Sequence, residues 1–359
     1  MPEVTTVTGI SEDDASNYNL DSSFGFLTTE ELITDDVALL TMRVLMYFVT
    51  PAISSFGVVG NVLSIIVLAK HGMNKSSNIL LVNLAFYNIV FLIAFNSVPK
   101  IIYETVSNHK YEGYSIQNTY ILFVFFSIFT FFDYSFGLMA SSMPMLITIE
   151  RLIVIFFPLS FHRVITPGRT WFVVVLVVVY WVSIFIYTSF WLEINQSIDP
   201  LKNLTIALLQ NSPLFYDNPE TAEAIEGLFV YTSILIPPIF TALGCVVISM
   251  KIKSASVKRQ ALTSKSKSNS RTTKILLAVC VLYVITSAIS CIPMFMPDDA
   301  SYSMTDDTPT NFSKLLYQLL NIVGCINSSG DFVVYIVMNK SFRDTLHNLC
   351  SCERRRLVK

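Results

Sequence analysis

The stretch LITIERLIVIFFPL, residues 146–159, decides the fold of this chain. An apolar run leads into an adjacent charged pair, Glu150 and Arg151, and further apolar residues follow. Ionisable side chains are costly at the centre of a bilayer but tolerable at its edge, where a long side chain reaches the headgroups. A Glu-Arg pair that closes a long apolar run marks the point where a membrane span meets water.

Working outward from that pair, the composition agrees. Of 359 residues, 53% are hydrophobic and 14% are charged, and 27 are Phe. Seven apolar segments emerge, at 43–70, 78–104, 119–154, 170–193, 224–252, 272–296 and 313–338. Each is long enough to cross about 30 Å of hydrocarbon at about 1.5 Å per residue. Lipid admits only helices or closed barrels, and the runs lack strand alternation, so the expected fold is all-α: a seven-helix membrane bundle. No internal repeat is evident, which disfavours an inverted-repeat transporter.

Lys and Arg orient the spans. Lys251, Lys253, Lys258, Arg259, Lys265, Lys267, Arg271 and Lys274 crowd the fifth connection, and Arg343, Arg354, Arg355, Arg356 and Lys359 follow the last span. The first 40 residues hold nine acidic groups and no Lys or Arg, and acidic residues recur near 199–223 and 298–307. The N-terminus is therefore expected outside and the C-terminus inside. Residues 1–42 read as a disordered acidic extracellular tail, 43–338 as the membrane domain, and 339–359 as a cytoplasmic amphipathic helix with a basic tail. No basic stretch followed by a short apolar one precedes the first span, so that span is expected to act as its own insertion signal. Acceptor sequons at Asn195, Asn203 and Asn311 fall in the expected outside loops and are glycosylation candidates. None of the six cysteines falls in those loops, so no extracellular disulfide is expected.

Several quoted motifs now add up. GNVLSIIVL (60–68) carries Asn61, NLAFYN (83–88) ends on Asn88, and Glu150-Arg151-Leu152 is followed by Pro158-Leu159. Trp181, Pro237-Pro238 and NSSGDFVVYIVMNKSFRDTL (327–346) complete the set. In this order the chain resembles the rhodopsin-like G-protein-coupled receptors over residues 43–350. HGMNKSSNILLVNLA (71–85) gives it a look similar to invertebrate neuropeptide and chemosensory receptors. The resemblance implies a plasma-membrane receptor that switches a heterotrimeric G protein, with arrestin and a receptor kinase as further partners. It implies that Glu150 restrains Arg151, and that Arg151 and Tyr335 serve coupling at the cytoplasmic mouth. The plainer reading of Arg151 is an anchor snorkelling to the interface.

The chain also departs from that family's pattern. Asn88 stands where the family has Asp, and Asp331-Phe332 where it has Asn-Pro. The carboxylate is moved across one helix interface, and Asp331 is expected to bond Asn88 and Asn61 as a polar relay. Span six lacks the family's Trp; alignment on Arg271 puts Ser287 in that place, and alignment on Pro293 puts Cys291 there. No acid near Asn269 can clamp Arg151, so raised basal activity is expected. The usual disulfide to the second outside loop is missing, because Phe126 stands at the Cys position, so that loop is expected to be held by packing and to be mobile.

Asp133 is the informative residue of the outer half. It lies 18 residues before Arg151, five helical turns and about 27 Å away on the same face. No Lys or Arg is expected at that depth, and a carboxylate inside a membrane suggests a functional site. The resemblance implies recognition of a cationic group; the alternative is an Asp bonded to span seven or protonated. Phe129, Tyr134, Phe136 and Gly137 are its expected companions on span three, with Tyr317, Asn321 and Cys325 on span seven. Aromatic walls suit a cation but are also ordinary packing. Span five lacks a serine cluster, so a peptide with a basic residue is favoured over a small amine. Cys325 stands where an opsin would have its retinal lysine.

On the cytoplasmic side, the Ser/Thr-rich fifth connection offers phosphorylation sites. Residues 339–350 read as an amphipathic helix with Phe342, Leu346 and Cys350 on one face. Cys350 and Cys352 beside basic residues are palmitoylation candidates, or two bare thiols. His71, His109, His162 and His347 are scattered, and no catalytic set, metal set, cofactor motif or nucleic-acid motif is visible. A transporter, a channel or an inverted odorant channel are the competing classes; the odd span count and the charge bias oppose them.

Overall fold

A computed structural model of the chain describes residues 34–70, 72–96, 116–199, 204–260, 268–295, 310–340 and 342–348. Among them are seven helices long and apolar enough to cross a membrane: α1 (Asp36–Lys70), α2 (Ser76–Phe95), α3 (Ile116–Phe156), α4 (Pro167–Ser189), α5 (Pro219–Ser254), α6 (Ser268–Ser290) and α7 (Asn311–Met338). The chain is thus a multi-pass membrane protein with a seven-helix bundle.

Local chemistry sets the helix ends. The Thr166 hydroxyl accepts from Arg169 N–H and Pro167 opens α4; the Thr310 hydroxyl accepts from Ser313 N–H at the start of α7. After α1, Gly72 takes φ +87°, a left-handed conformation that glycine adopts without a Cβ clash. The Asn78 amide donates to the Gly72 carbonyl at 2.7 Å, which fixes the short turn into α2.

Wide π turns run through Leu45–Val49 in α1 and Val230–Leu235 in α5. Both come just before proline, Pro51 in α1 and Pro237-Pro238 in α5. Proline lacks an N–H and crowds the carbonyl four residues back, and a widened turn relieves both problems. The Thr50 hydroxyl donates to the Leu45 carbonyl at 2.8 Å, beside the bond that the Thr50 backbone N–H gives to the same oxygen.

Helix α3 is the hub and packs on α2, α4, α5 and α6; α1 lies between α2 and α7, and α6 between α5 and α7. Met139, Met143 and Ile147, four residues apart, form its buried stripe. Association within lipid relies on close packing. A Cβ at Gly60 of α1 would lie 2.5 Å from the Phe332 ring of α7, so glycine is what admits that ring. Phe332, at the place where the resemblance leads one to expect proline, fills the α1–α7 seam, and α7 runs without a proline kink. Apolar side chains on the outward face of α4, such as Phe172, Val175 and Val179, are exposed, as a lipid-facing surface requires.

Several expected boundaries move. Helix α1 starts at Asp36, so the end of the expected tail is helical; residues 1–33 lie outside the described set. Helix α2 is described over Ser76–Phe95, and residues 97–104 of the expected span lie outside the described residues. Helix α6 ends at Ser290, and Pro293 falls in a 3-10 turn, Ile292–Phe295. Pro293 is therefore no mid-helix kink, and Cys291 lies past the helix end. Helical structure extends into the fifth connection: beyond Ser254 the chain stays helical to Gln260, and α6 begins at Ser268.

The expected second outside loop holds structure that the sequence did not indicate: an antiparallel hairpin, β1 (Leu192–Asp199) with β2 (Leu204–Asn211), paired from Leu192↔Asn211 to Asp199↔Leu204. The all-α expectation therefore holds for the bundle and not for this loop. At its base Ser212 N–H donates to the Trp191 carbonyl and its hydroxyl to the Phe190 carbonyl, both at 2.7 Å. Backbone pairing supplies the restraint that a disulfide would otherwise give.

Candidate functional site

Glu150 and Arg151 continue the buried stripe of α3 and are themselves buried, with Glu150 4% and Arg151 9% exposed. A snorkelling anchor would leave its guanidinium in water, so burial argues against that reading. Arg151 Nη2 lies 3.2 Å from Glu150 Oε2. A third residue closes the set: Arg151 Nη2 donates to Ser77 Oγ, and Ser77 donates to Glu150 Oε1 at 2.8 Å. Ser77 sits in the first turn of α2, which packs on α3. The buried charges are thus paired and hydrogen-bonded together, the condition for leaving them out of water. Arg151 Nε is buried without a hydrogen-bond partner.

Beside Arg151 lies a narrow gap of about 10 Å³ between α3, α5 and α6, room for about one water. Ile147, Thr148, Cys245, Ile248, Thr273, Leu276, Leu277 and Cys280 line it with Arg151, and none of these is acidic. The restraint on Arg151 comes from α2 and from its own helix rather than from α6.

The polar relay forms in part. Asn88 Nδ2 donates to Asp331 Oδ2 at 3.1 Å, joining α2 to α7, and both residues are buried. The expected bond from Asn61 to Asp331 gives way to another. Asn61 spends both amide protons on carbonyls, Gly57 at 2.8 Å and Ser328 at 2.9 Å, and so joins α1 to α7. With both amide protons used on these carbonyls, Asn61 Nδ2 has none left for the carboxylate, which Asn88 serves. Tyr335 does not reach Arg151. Its ring stacks on Phe342 at 5.7 Å, and its buried hydroxyl has no hydrogen-bond partner. Phe342 opens a helical stretch at residues 342–348, and Arg343 donates to the Ile336 and Val337 carbonyls at the end of α7.

In the other half of α3, Asp133 is buried, at 4% exposure. Its expected companions on α3 make contacts with neighbouring helices. Tyr134 stacks on Phe185 of α4 at 6.1 Å. Phe136 packs on Tyr87 of α2 at 5.8 Å, and a Cβ at Gly137 would meet Phe91 of α2 at 3.1 Å. Helical spacing was too coarse to tell a bundle-facing position from one that faces a neighbour sideways. Phe129 and Tyr317 are half-buried, Cys325 is fully buried, and Asn321 holds a buried Nδ2 without a hydrogen-bond partner.

Of the expected modification sites, Asn195 lies in β1 opposite Leu208, and Asn311 opens α7. Asn203, Cys350 and Cys352 lie outside the described residues. Among the described residues, no group of three or more His, Cys, Asp or Glu side chains could hold a metal ion. Sequence reasoning missed Ser77 and Ser328. Ser77 had one usable signal, its place a turn inside the helix that follows the basic first connection.

Comparison with known proteins places this geometry. The family model described as serpentine type 7TM GPCR chemoreceptor Srw matches residues 48–353. The chain is also 24% identical over 293 residues to a protein of Drosophila melanogaster described as an FMRFamide receptor. That match covers 80% of this chain and 50% of the relative, so the chain spans about half the length of that receptor.

Proposed function

The chain belongs to the serpentine type 7TM GPCR chemoreceptor Srw family, and from that premise we propose a rhodopsin-like plasma-membrane receptor that answers an extracellular peptide. The N-terminus and the hairpin lie outside, and the Glu-Arg end faces the cytosol. The receptor activates a heterotrimeric G protein, with arrestin and a receptor kinase acting afterwards. The observation that carries this reading is the buried Glu150–Arg151–Ser77 set beside the α3–α5–α6 gap. A shift of α2 against α3 takes the Ser77 hydroxyl away from Arg151, and an outward movement of α6 would widen the narrow gap beside it for a partner.

For the ligand, the reading is a peptide with a basic group. The relative's name spells a short peptide amide with one arginine between apolar residues. Asp133 supplies a buried carboxylate for such a group, and acidic residues at the hairpin end, exposed Asp217, Glu220 and Glu223, draw a basic peptide by charge. A second reading, a chemosensory receptor for a small molecule, is favoured by the family description itself.

The test is G-protein activation in transfected cells challenged with synthetic Arg-Phe-amide peptides and with tissue fractions, with and without protease. A response to the peptides, or to a fraction that protease destroys, supports the peptide reading. Asp133→Asn should then raise the half-effective concentration at least about tenfold, the scale of one charge-assisted contact. A protease-resistant activity moves the chemosensory reading to first place.

A further inference from the structure

One turn from the Asn88–Asp331 bond, the inward face of α2 carries two rings. Asn88, Phe91 and Phe95 follow at spacings of three and four and so share a helix face. The Phe91 and Phe95 rings are stacked, with centroids 5.7 Å apart and planes 26° from parallel. Phe91 reaches the middle of the bundle, because it meets α3 and α7 where each has a glycine. A Cβ at Gly137 would lie 3.1 Å from its ring, and one at Gly324 would lie 3.9 Å from its tip. A ring between α3 and α7 points to the interior and not to lipid. Yet Phe91 and Phe95 stay half-buried, whereas Asn88 and Leu92 of the same helix are each 1% exposed. The accessible part of this aromatic wall opens inside the bundle.

Phe91, Gly137 and Gly324 form one layer, and the next layer toward the hairpin end has different chemistry. Helix α2 runs antiparallel to α3 and α7, so one turn in that direction leads from Phe91 to Phe95, from Gly137 to Asp133 and from Gly324 to Asn321. Asp133 is 4% exposed, and the buried Asn321 Nδ2 has no hydrogen-bond partner among the described residues. A buried donor left unused is costly until something accepts from it. The layer thus offers a carboxylate for a cation, an amide N–H for a carbonyl oxygen, and ring surface for a flat group with a cation beside it. We propose that Phe91 and Phe95 form an aromatic seat, completed by Asp133 and Asn321, for a ligand group that joins an aromatic ring, a cation and a carbonyl, the chemistry of an aromatic amino-acid amide. The proposal rests on the reading of Asp133 given above, and not on the ligand being a peptide.

The experiment is thermal unfolding of the purified full-length receptor in detergent, titrated with phenylalaninamide. Three probes each lack one group: alaninamide the ring, phenethylamine the carbonyl, and N-acetylphenylalaninamide the cation. Phenylalaninamide should raise Tm saturably and bind at least about tenfold more tightly than each of them. Phe91→Leu and Phe95→Leu should each cut the preference over alaninamide by about three- to tenfold and leave alaninamide itself unchanged, which a role in packing alone would not do. Asn321→Ala should remove the preference over phenethylamine. If Phe91→Leu fails to fold, Phe95→Leu decides. The seat is overturned if phenylalaninamide gives no saturable rise, if it binds no tighter than alaninamide or N-acetylphenylalaninamide, or if the leucine variants keep the full preference. A peptide response in cells without ring preference here removes the seat and leaves the peptide reading; ring preference here without a peptide response in cells does the reverse.

Discussion

At one end of α3, Glu150 and Arg151 are tied to each other and to Ser77 of α2 through individually identifiable polar atoms. In its other half, Asp133 is flanked by residues that reach sideways into aromatic clusters, Tyr134 toward Phe185 and Phe136 toward Phe86, Tyr87 and Phe132. The first region is held by charge and direction, and the second largely by the area and shape of rings. Polar ties depend on particular atoms and break when one is removed. Ring packing is spread over many weak contacts and tolerates exchange for a residue of similar volume. On the proposed function, the first region would hold a defined resting state at the coupling end, and the second would be free to vary at the ligand end.

The largest test of this contrast is Glu150→Ala. It strips the carboxylate from a buried guanidinium and should cost about 3–5 kcal/mol, read as a fall in the thermal unfolding midpoint of purified receptor. Replacing the pair together, Glu150→Ala with Arg151→Met, should recover most of that loss, since no charge is then stranded. A double variant as unstable as the single one breaks the account. Next in size, Asn88→Leu leaves Asp331 without the Asn88 amide and should cost about 1–3 kcal/mol by the same measurement. Gly60→Ala, which drives a Cβ to 2.5 Å from the Phe332 ring, should also cost about 1–3 kcal/mol, and Gly60→Ala with Phe332→Leu should cost less than the single change. In the aromatic half, Phe136→Leu should cost only about 0.5–1.5 kcal/mol, the share of ring geometry beyond buried area. A loss as large as that of Glu150→Ala would erase the distinction between the two halves. Smallest of all, Ser212→Ala removes one bond at the hairpin base and should cost about 0.5–1 kcal/mol, visible as faster amide exchange in β1 and β2.

The candidate site was legible to different depths. Glu150, Arg151, Asn61, Asn88 and Asp331 stand out in sequence because polar side chains in apolar runs are rare and costly. Their partners were less visible. Ser77 is one serine among many, and Asn61 chose carbonyls of α1 and α7 over Asp331, a choice set by where α7 lies against α1. That Tyr335 stacks on Phe342 was not legible in the sequence. Periodicity tells which residues share a face, not which neighbour that face meets.

What the sequence determined by itself is the number of spans, their approximate extents and the residues too polar to face lipid, because hydrocarbon punishes every unsatisfied polar group and leaves only helices as the answer. Only the tertiary structure decided the rest: the hairpin between α4 and α5, the end of α6 before Pro293, the pairing of Ser77 with Arg151, and the ring of Phe332 against Gly60. Each of these depends on how closely two helices or strands distant in sequence approach, and that distance is fixed by the packing of the whole bundle rather than by any local run of residues.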